Sequence, residues 1–245
     1  MYYKFLLIYF LLLPFTACAG HHEMNESVNT DECAVLLHGL GRTSDSMDEM
    51  AEGLQNAGYT TVNLDYPSRK SSIETLALKT VREGIEKCRA AGALKIHFIT
   101  HSMGGILLRY YLSLHSIDNL GRVVMLSPPN KGSEVADTLR DWSLYQWYNG
   151  PAGQQLGTGP DSLVMKLGPV DYPVGIITGN SPAFFDFWLE DMMPGPGDGK
   201  VSVERAKVEG MSDFLVLPYS HSFIMEEKEV IEQTLHFLAN GTFSH

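Results

Sequence analysis

Basic residues are in short supply. Eighteen Lys and Arg stand against 29 Asp and Glu, a formal net charge of -11, and no cationic cluster occurs along the 245 residues. With nothing to neutralise a phosphate backbone, no nucleic-acid partner is expected. Long apolar runs are missing as well: the best, Phe5 to Leu13, falls short of the roughly 20 residues that a bilayer-spanning helix needs. There is no internal repeat and no long low-complexity segment. The 44% hydrophobic content can fill one sizeable core, and nothing marks a second, so one domain over residues 33–241 is expected. Cysteine is scarce enough, at three residues, for each to be weighed singly.

The first cysteine belongs to a leader. Lys4, the apolar run, Pro14 and the small cluster Thr16-Ala17-Cys18-Ala19-Gly20 have the three regions of a secretory signal peptide over residues 1–19. Cleavage before Cys18 would free it for lipidation, and Ala17-Cys18-Ala19 also fits cleavage after Ala19. The lipoprotein form is preferred because residues 20–32, rich in polar side chains, then make a tether to the membrane. A soluble exported chain, periplasmic or secreted, is the alternative.

Further on, short apolar runs alternate with helical patterns. Cys33 to His38 is apolar on both faces, as a buried parallel strand is. Met47, Met50, Ala51 and Leu54 recur at helical spacing before Gly58, and Thr61 to Tyr66 forms the next strand. Ser71-Ser72-Ile73-Glu74 predicts a capping box, opening a helix whose apolar face carries Ala77, Val81, Ile85 and Cys88 and which Gly92 ends. Ile96 and Phe98, Arg122 to Ser127, Val174 to Thr178 and Phe214 to Leu217 supply further strands, and Val230 to Leu238 a closing helix. The expected fold is therefore α/β, a mainly parallel sheet of about six strands with helices on both faces. The region of about 131–170 departs from this alternation. Its aromatics Trp142, Tyr145, Trp147 and Tyr148 fit a small cap over the strand ends or an extra helix packed on the core.

Cys33 and Cys88 should both fall at the N-terminal edge of the sheet, since the helix carrying Cys88 feeds a strand that neighbours the one carrying Cys33. A disulfide between them is expected in an exported chain.

Thr100-His101-Ser102-Met103-Gly104 is the central motif. A serine between a strand and a helix, with small residues close behind, matches the nucleophile elbow usually written G-x-S-x-G, with Thr100 in place of the first glycine. Of nine histidines, only His221 follows the last strand and precedes the last helix, which places it at the same sheet edge as Ser102. His21 and His22 lie in the tether and His245 at the end, while His97, His115 and His236 belong to strand and helix patterns. His38 and His101 belong to the turns His38-Gly39-Leu40-Gly41 and Thr100 to Gly104. Asp198, beside Gly197 and Gly199 in a turn after the penultimate strand, is the preferred acid over Asp186, Glu190 and Asp191.

With these residues the chain resembles the lipase and esterase group of exported bacterial α/β-hydrolases, over about Cys33 to Phe237. Bacterial triacylglycerol lipases and the GPI inositol-deacylase-like hydrolases have similar segments: HGLG, THSMGG, SPPNKGSEVAD and DGKVSV. Asn130 stands where lipases often carry histidine. The resemblance implies a serine hydrolase of carboxylic esters, with lipid esters favoured. Ser102 is then the nucleophile, His221 the base and Asp198 its partner, and the N–H groups of Leu40 and Met103 form the oxyanion hole. His38, Gly39, Gly41, His101 and Gly104 support the two turns. No metal or organic cofactor is required, and a monomer is expected. An acyltransferase using the same acyl-enzyme, or a lipoprotein that binds a ligand without turnover, are the alternative functions.

Overall fold

Residues 31–245 are described by the computed structural model, so the leader, the lipidation candidate Cys18 and most of the tether lie outside the described residues. Strands β1 (Glu32–Leu37), β2 (Thr60–Leu64), β3 (Lys95–His101), β4 (Leu120–Leu126), β5 (Val174–Gly179) and β6 (Asp213–Leu217) form one sheet. All neighbours pair in parallel, in the order β2-β1-β3-β4-β5-β6. The central strands lack polar alternation because helices cover both faces, and β5 is buried throughout. Glu32, placed with the tether by composition, is the first residue of β1. It pairs in register with Lys95, and its carboxylate takes the Lys95 ammonium and the His97 ring.

Helices α1 (Asp48–Asn56), α2 (Ile73–Ala90) and α3 (Met103–Leu114) connect the first four strands. After β4 come α4 (Glu134–Leu139), α5 (Ser143–Gln154) and α6 (Leu163–Lys166), all before β5; α7 (Val203–Ala206) precedes β6, and α8 (Lys228–Asn240) follows it. Successive strand side chains point to opposite faces, so Val35 and Leu37 meet Val81 and Ile85 of α2 and Leu107 of α3 in one apolar cluster. Ala34 and Leu36 meet Met50 and Leu54 of α1 and Phe237 of α8 in the other. Each fully buried Leu, Ile or Phe contributes roughly 1.5–3 kcal/mol. Among the described residues no helix is long and apolar enough to cross a membrane.

The start of α2 differs from the predicted capping box. Ser72, not Ser71, is the cap, its hydroxyl accepting from the Thr75 N–H at 3.5 Å. Glu74 turns away to accept both contacts from the Gln155 amide at 2.9 and 3.0 Å, while Gln155 Oε1 accepts from the Ile73 N–H at 2.7 Å. A side chain distant in sequence thus takes the place of the local reciprocal bond. At the far end of α2, Gly92 adopts φ +84°, and Cys88 is bonded to Cys33 with the Cα atoms 5.7 Å apart. That bridge ties β1 to α2 at the N-terminal edge of the sheet.

Candidate active site

Strand β3 ends at His101 and α3 begins at Met103, which leaves Ser102 alone to make the turn. Its backbone lies at φ 52°, ψ -121°, a conformation that costs a non-glycine residue on the order of 1–3 kcal/mol. The surroundings over-determine it: the Ser102 N–H donates to Leu126 O at 2.8 Å, and Ser102 O accepts from the Gly105 N–H at 3.0 Å. Gly104 lets the helix come this close, since a Cβ there would lie 2.5 Å from Leu37 O.

His221 reaches Ser102 from the loop after β6. Its Nε2 is 3.0 Å from Ser102 Oγ and its Nδ1 is 2.9 Å from Asp198 Oδ2. Its own N–H donates to Asp198 O at 2.9 Å, so backbone and side chain lock the two loops together. Asp198 is fully buried in the tight turn that ends at Gly199, φ +101°. The other oxygen of Asp198, Oδ1, accepts from the N–H groups of Lys200 at 3.0 Å and Val201 at 2.8 Å. Burial opposes its ionisation, but the His221 charge and hydrogen bond, and the Lys200 N–H, outweigh that and hold its pKa below the ordinary value. Ser127 also helps hold this charge, although its hydroxyl falls short of full hydrogen-bond geometry. Of the rivals for the acid, Asp186 is buried but bonds Ser222 Oγ at 3.3 Å, one residue beyond the base, and Asp191 is exposed. The Glu190 side chain lies outside the described ones.

His38 is buried and its ring stacks on Tyr66, centroids 3.9 Å apart. Burial pushes its pKa down despite the nearby Gly39 carbonyl and Asp65, so the ring is neutral. Nδ1–H donates to Gly39 O at 2.8 Å, Nε2 accepts from the Tyr66 N–H at 3.3 Å, and the Tyr66 hydroxyl donates to His38 O. All of this fixes the loop running through Gly39, Leu40 and Gly41, φ +72°. A Cβ on Gly39 would sit 2.8 Å from His101 Nδ1 and 3.2 Å from Ser102 Cβ, so the loop backbone passes directly against the serine. Neither the Leu40 nor the Met103 N–H has a hydrogen-bond acceptor among the described residues.

His101 is buried beside the cluster, and its Nε2–H donates to His221 O at 2.9 Å. Burial, followed by the charges of His221 and Arg42, holds its pKa well below the ordinary value. The structure therefore brings together Ser102, His101, Asp198, His221 and the glycine loop. Asn130 lies apart: its amide donates to Ala206 O at 2.8 Å and its carbonyl groups hold the buried Arg109 at 2.8 and 3.2 Å, so it braces the β4–α4 loop. Three contributors escape a reading of sequence alone: Tyr66, which grips His38; Ser127, at φ 49° on the end of β4; and Arg42, whose Nη2 donates to Ser222 O at 2.7 Å. Only the S-P-P run after a strand hints at Ser127; the other two depend on register and long-range contact.

A cavity of about 520 Å³ opens onto Ser102 and His221. Leu139, Tyr145 and Leu156 from the segment between β4 and β5, together with Phe185, Leu189 and Phe223, give it apolar walls. A groove of about 740 Å³ elsewhere, lined by Glu74, Arg140 and Lys166, contains none of the cluster.

The chain is 29% identical over 121 residues to a triacylglycerol lipase of Pseudomonas fragi, covering 48% of this chain and 41% of that lipase. In structure it is similar to the mature form of the Bacillus licheniformis lipase BlEst2, with a TM-score of 0.69 at 20% identity over 84% of this chain and 91% of that one. Phospholipase PlaB from Legionella pneumophila gives a TM-score of 0.64 at 21% identity, over 85% of this chain and 57% of PlaB. The family model described as alpha/beta hydrolase fold matches residues 35–170. That match takes in more than half of the chain, the glycine loop and the turn at Ser102, and with the parallel sheet it establishes that the chain belongs to the alpha/beta hydrolase fold family.

Proposed function

We propose that the protein is a serine hydrolase of carboxylic esters, with lipid esters as the favoured class. The reading is carried by the unbroken series Ser102 Oγ, His221 Nε2, His221 Nδ1, Asp198 Oδ2, with steps of 3.0 and 2.9 Å. His221 takes the Ser102 proton as Oγ attacks the ester carbonyl, and Asp198 holds the tautomer that leaves Nε2 free to accept it. The N–H groups of Leu40 and Met103, which have no acceptor among the described residues, receive the oxyanion. His221 then passes the proton to the leaving alcohol, and water releases the acid from the acyl-enzyme. His38 and His101 are neutral positioning residues in this scheme, one for the glycine loop and one for the base.

Apolar walls support an acyl chain as the bound group, and residues 131–170 act as a cap that supplies part of them. The Cys33–Cys88 bond fits an oxidising compartment, in keeping with export. Anchoring through a diacylated Cys18 remains part of the proposal, tested by mass spectrometry of the mature N-terminus. A chain beginning at Gly20 would remove it.

Labelling with a fluorophosphonate tests the chemistry. One adduct is expected on the wild-type chain, at Ser102, with none on Ser102→Ala; an unlabelled Ser102 in folded protein favours ligand binding without turnover. Esters of increasing acyl length then report how far the cavity extends, and product analysis with an added alcohol separates hydrolysis from acyl transfer.

A further inference from the structure

We propose that the alcohol side of this site is built for an anion, so that the preferred substrates are carboxylic esters of a phosphorylated alcohol. The inference rests on the ester-hydrolase reading and deepens it. Acidic residues dominate the chain, 29 against 18. Among the described side chains that line the Ser102 cavity, however, two are cations, Arg42 and Lys200, and none is a carboxylate.

Both cations are fixed, and both are fixed to the residue after the base. Arg42 Nη2 donates to Ser222 O at 2.7 Å, and Lys200 Nζ donates to Ser222 Oγ at 3.2 Å. Among the described residues the Arg42 guanidinium bonds Ser222 O through Nη2 and pairs with no carboxylate, which leaves the rest of its fork to take phosphate oxygens. Lys200 has only a loose approach to a carboxylate, 3.9 Å from Asp186 Oδ2. Their positive field reaches the serine turn, because the charges of Arg42 and Lys200 both help to keep the buried His101 neutral, after burial and the charge of His221.

Position assigns the field to the leaving group. His221 must protonate the departing alcohol oxygen, so whatever the alcohol carries lies on the side of His221 and Ser222. The acyl chain is left with the uncharged walls at Leu139, Tyr145 and Leu156. In the reaction the Ser102 Oγ–acyl carbon bond forms and the ester C–O bond breaks, while the proton moves from Ser102 through His221 to the alkoxide. Water then yields the carboxylic acid, and the phosphate is unchanged throughout.

The test compares hexanoylglycerol with hexanoylglycerol 3-phosphate, both kept monomeric so that a charged lipid surface plays no part. Wild-type kcat/KM should favour the phosphate ester about tenfold at about 50 mM salt, and the preference should shrink at about 500 mM as screening rises. Within each variant the ratio of the two kcat/KM values is read, which cancels losses common to both esters. Arg42→Gln and Lys200→Gln should each cut that ratio several-fold, whereas Arg42→Lys, which keeps the charge, should retain most of it. A wild-type ratio of one or below, or one that salt leaves unchanged, overturns the proposal. So does a fall in Arg42→Lys equal to that in Arg42→Gln, which would make Arg42 a brace for Ser222 alone. Failure to cleave either ester, with Ser102 unlabelled by fluorophosphonate, overturns the hydrolase reading itself; efficient cleavage of the neutral ester alone leaves that reading standing and removes only the anion.

Discussion

Replacing Asp198 by asparagine exchanges one oxygen for an NH₂ group, and the backbone decides which oxygen it is. Oδ1 accepts two N–H groups, from Lys200 at 3.0 Å and Val201 at 2.8 Å, so only the amide oxygen can sit there. The reverse orientation would set NH₂ against two buried donors, at about 1–3 kcal/mol for each group left unsatisfied. The NH₂ therefore takes the Oδ2 position, 2.9 Å from His221 Nδ1, and donates where the carboxylate accepted. Nδ1 must then be the acceptor, which moves the ring proton to Nε2. At 3.0 Å from Ser102 Oγ, that nitrogen becomes a donor and can no longer remove the serine proton. The analogous change in a serine protease lowers turnover about 10⁴-fold, equivalent to about 5.5 kcal/mol at 1.36 kcal/mol per decade, and a loss of at least about 10² is expected here. The exchange adds no volume, so circular dichroism and KM for a short-chain ester should stay close to wild type. Turnover within a few-fold of wild type, with Asp186→Asn or Asp191→Asn as the damaging change, would refute the reasoning.

Three further outcomes follow from the geometry. Reducing the Cys33–Cys88 bond, which closes a loop of 55 residues, should lower the unfolding free energy by up to about 4 kcal/mol, read from urea denaturation with and without reductant. His38, His97 and His101 each have a pKa depressed below 6.5, chiefly by burial, so their contribution to stability is complete above that pH and is lost as the pH falls from 6.5 toward the folded values. The unfolded chain binds these protons first, and the slope reaches about 1.4 kcal/mol per pH unit for each histidine; denaturation midpoints at about pH 7.5 and 5.5 should differ accordingly, and equal midpoints would contradict the assignment. Ser127→Gly should leave the melting temperature close to wild type, because relief of a positive φ is offset by roughly 0.5–1 kcal/mol of added chain entropy and by loss of the hydroxyl that helps hold the buried Asp198 charge. Turnover should fall at the same time, since Asp198 loses a neighbour that holds its charge.

What could be read from the residues follows from how local each cause is. The sheet was legible because its central strands are short apolar runs closed by glycine or a helix cap, and the order Ser102, Asp198, His221 placed three side chains at one edge before any distance was known. Asp198 stood out from Asp186 by its flanking glycines, and Gly199 at φ +101° makes that turn. The contacts that complete the site are not local. Arg42 and Ser222 are 180 residues apart in sequence, and Ile73 and Gln155 are 82 apart. The aromatic stretch split in a way that its composition did not decide: Tyr145 is partly buried and Tyr148 half exposed, both lining the cavity, while Trp147 is 79% exposed. Helical spacing sends neighbours in sequence to different sides, and only the tertiary position of α5 says which side meets the site.

The two edges of the sheet differ in what their residues do. At the N-terminal edge are bonds that hold: the Cys33–Cys88 bridge, Glu32 with Lys95 and His97, Arg122 on Leu238 O, and Asp213 Oδ2 accepting the Phe243 N–H at 2.7 Å. At the C-terminal edge are conformations that cost. Among the described residues, Ser102 and Ser127 are the non-glycine positions with positive φ, and Thr100 Oγ1, His101 Nδ1 and Thr178 Oγ1 are buried without hydrogen-bond partners. Strain of this kind survives only where the surrounding structure fixes it, and the ladders of β3, β4 and β5 run from one edge to the other. Because parallel strands all deliver their chain to the same edge, that edge is also where loops from β1, β3, β5 and β6 meet. The serine, the glycine loop, the acid and the base can therefore converge there from positions as far apart as 38 and 221.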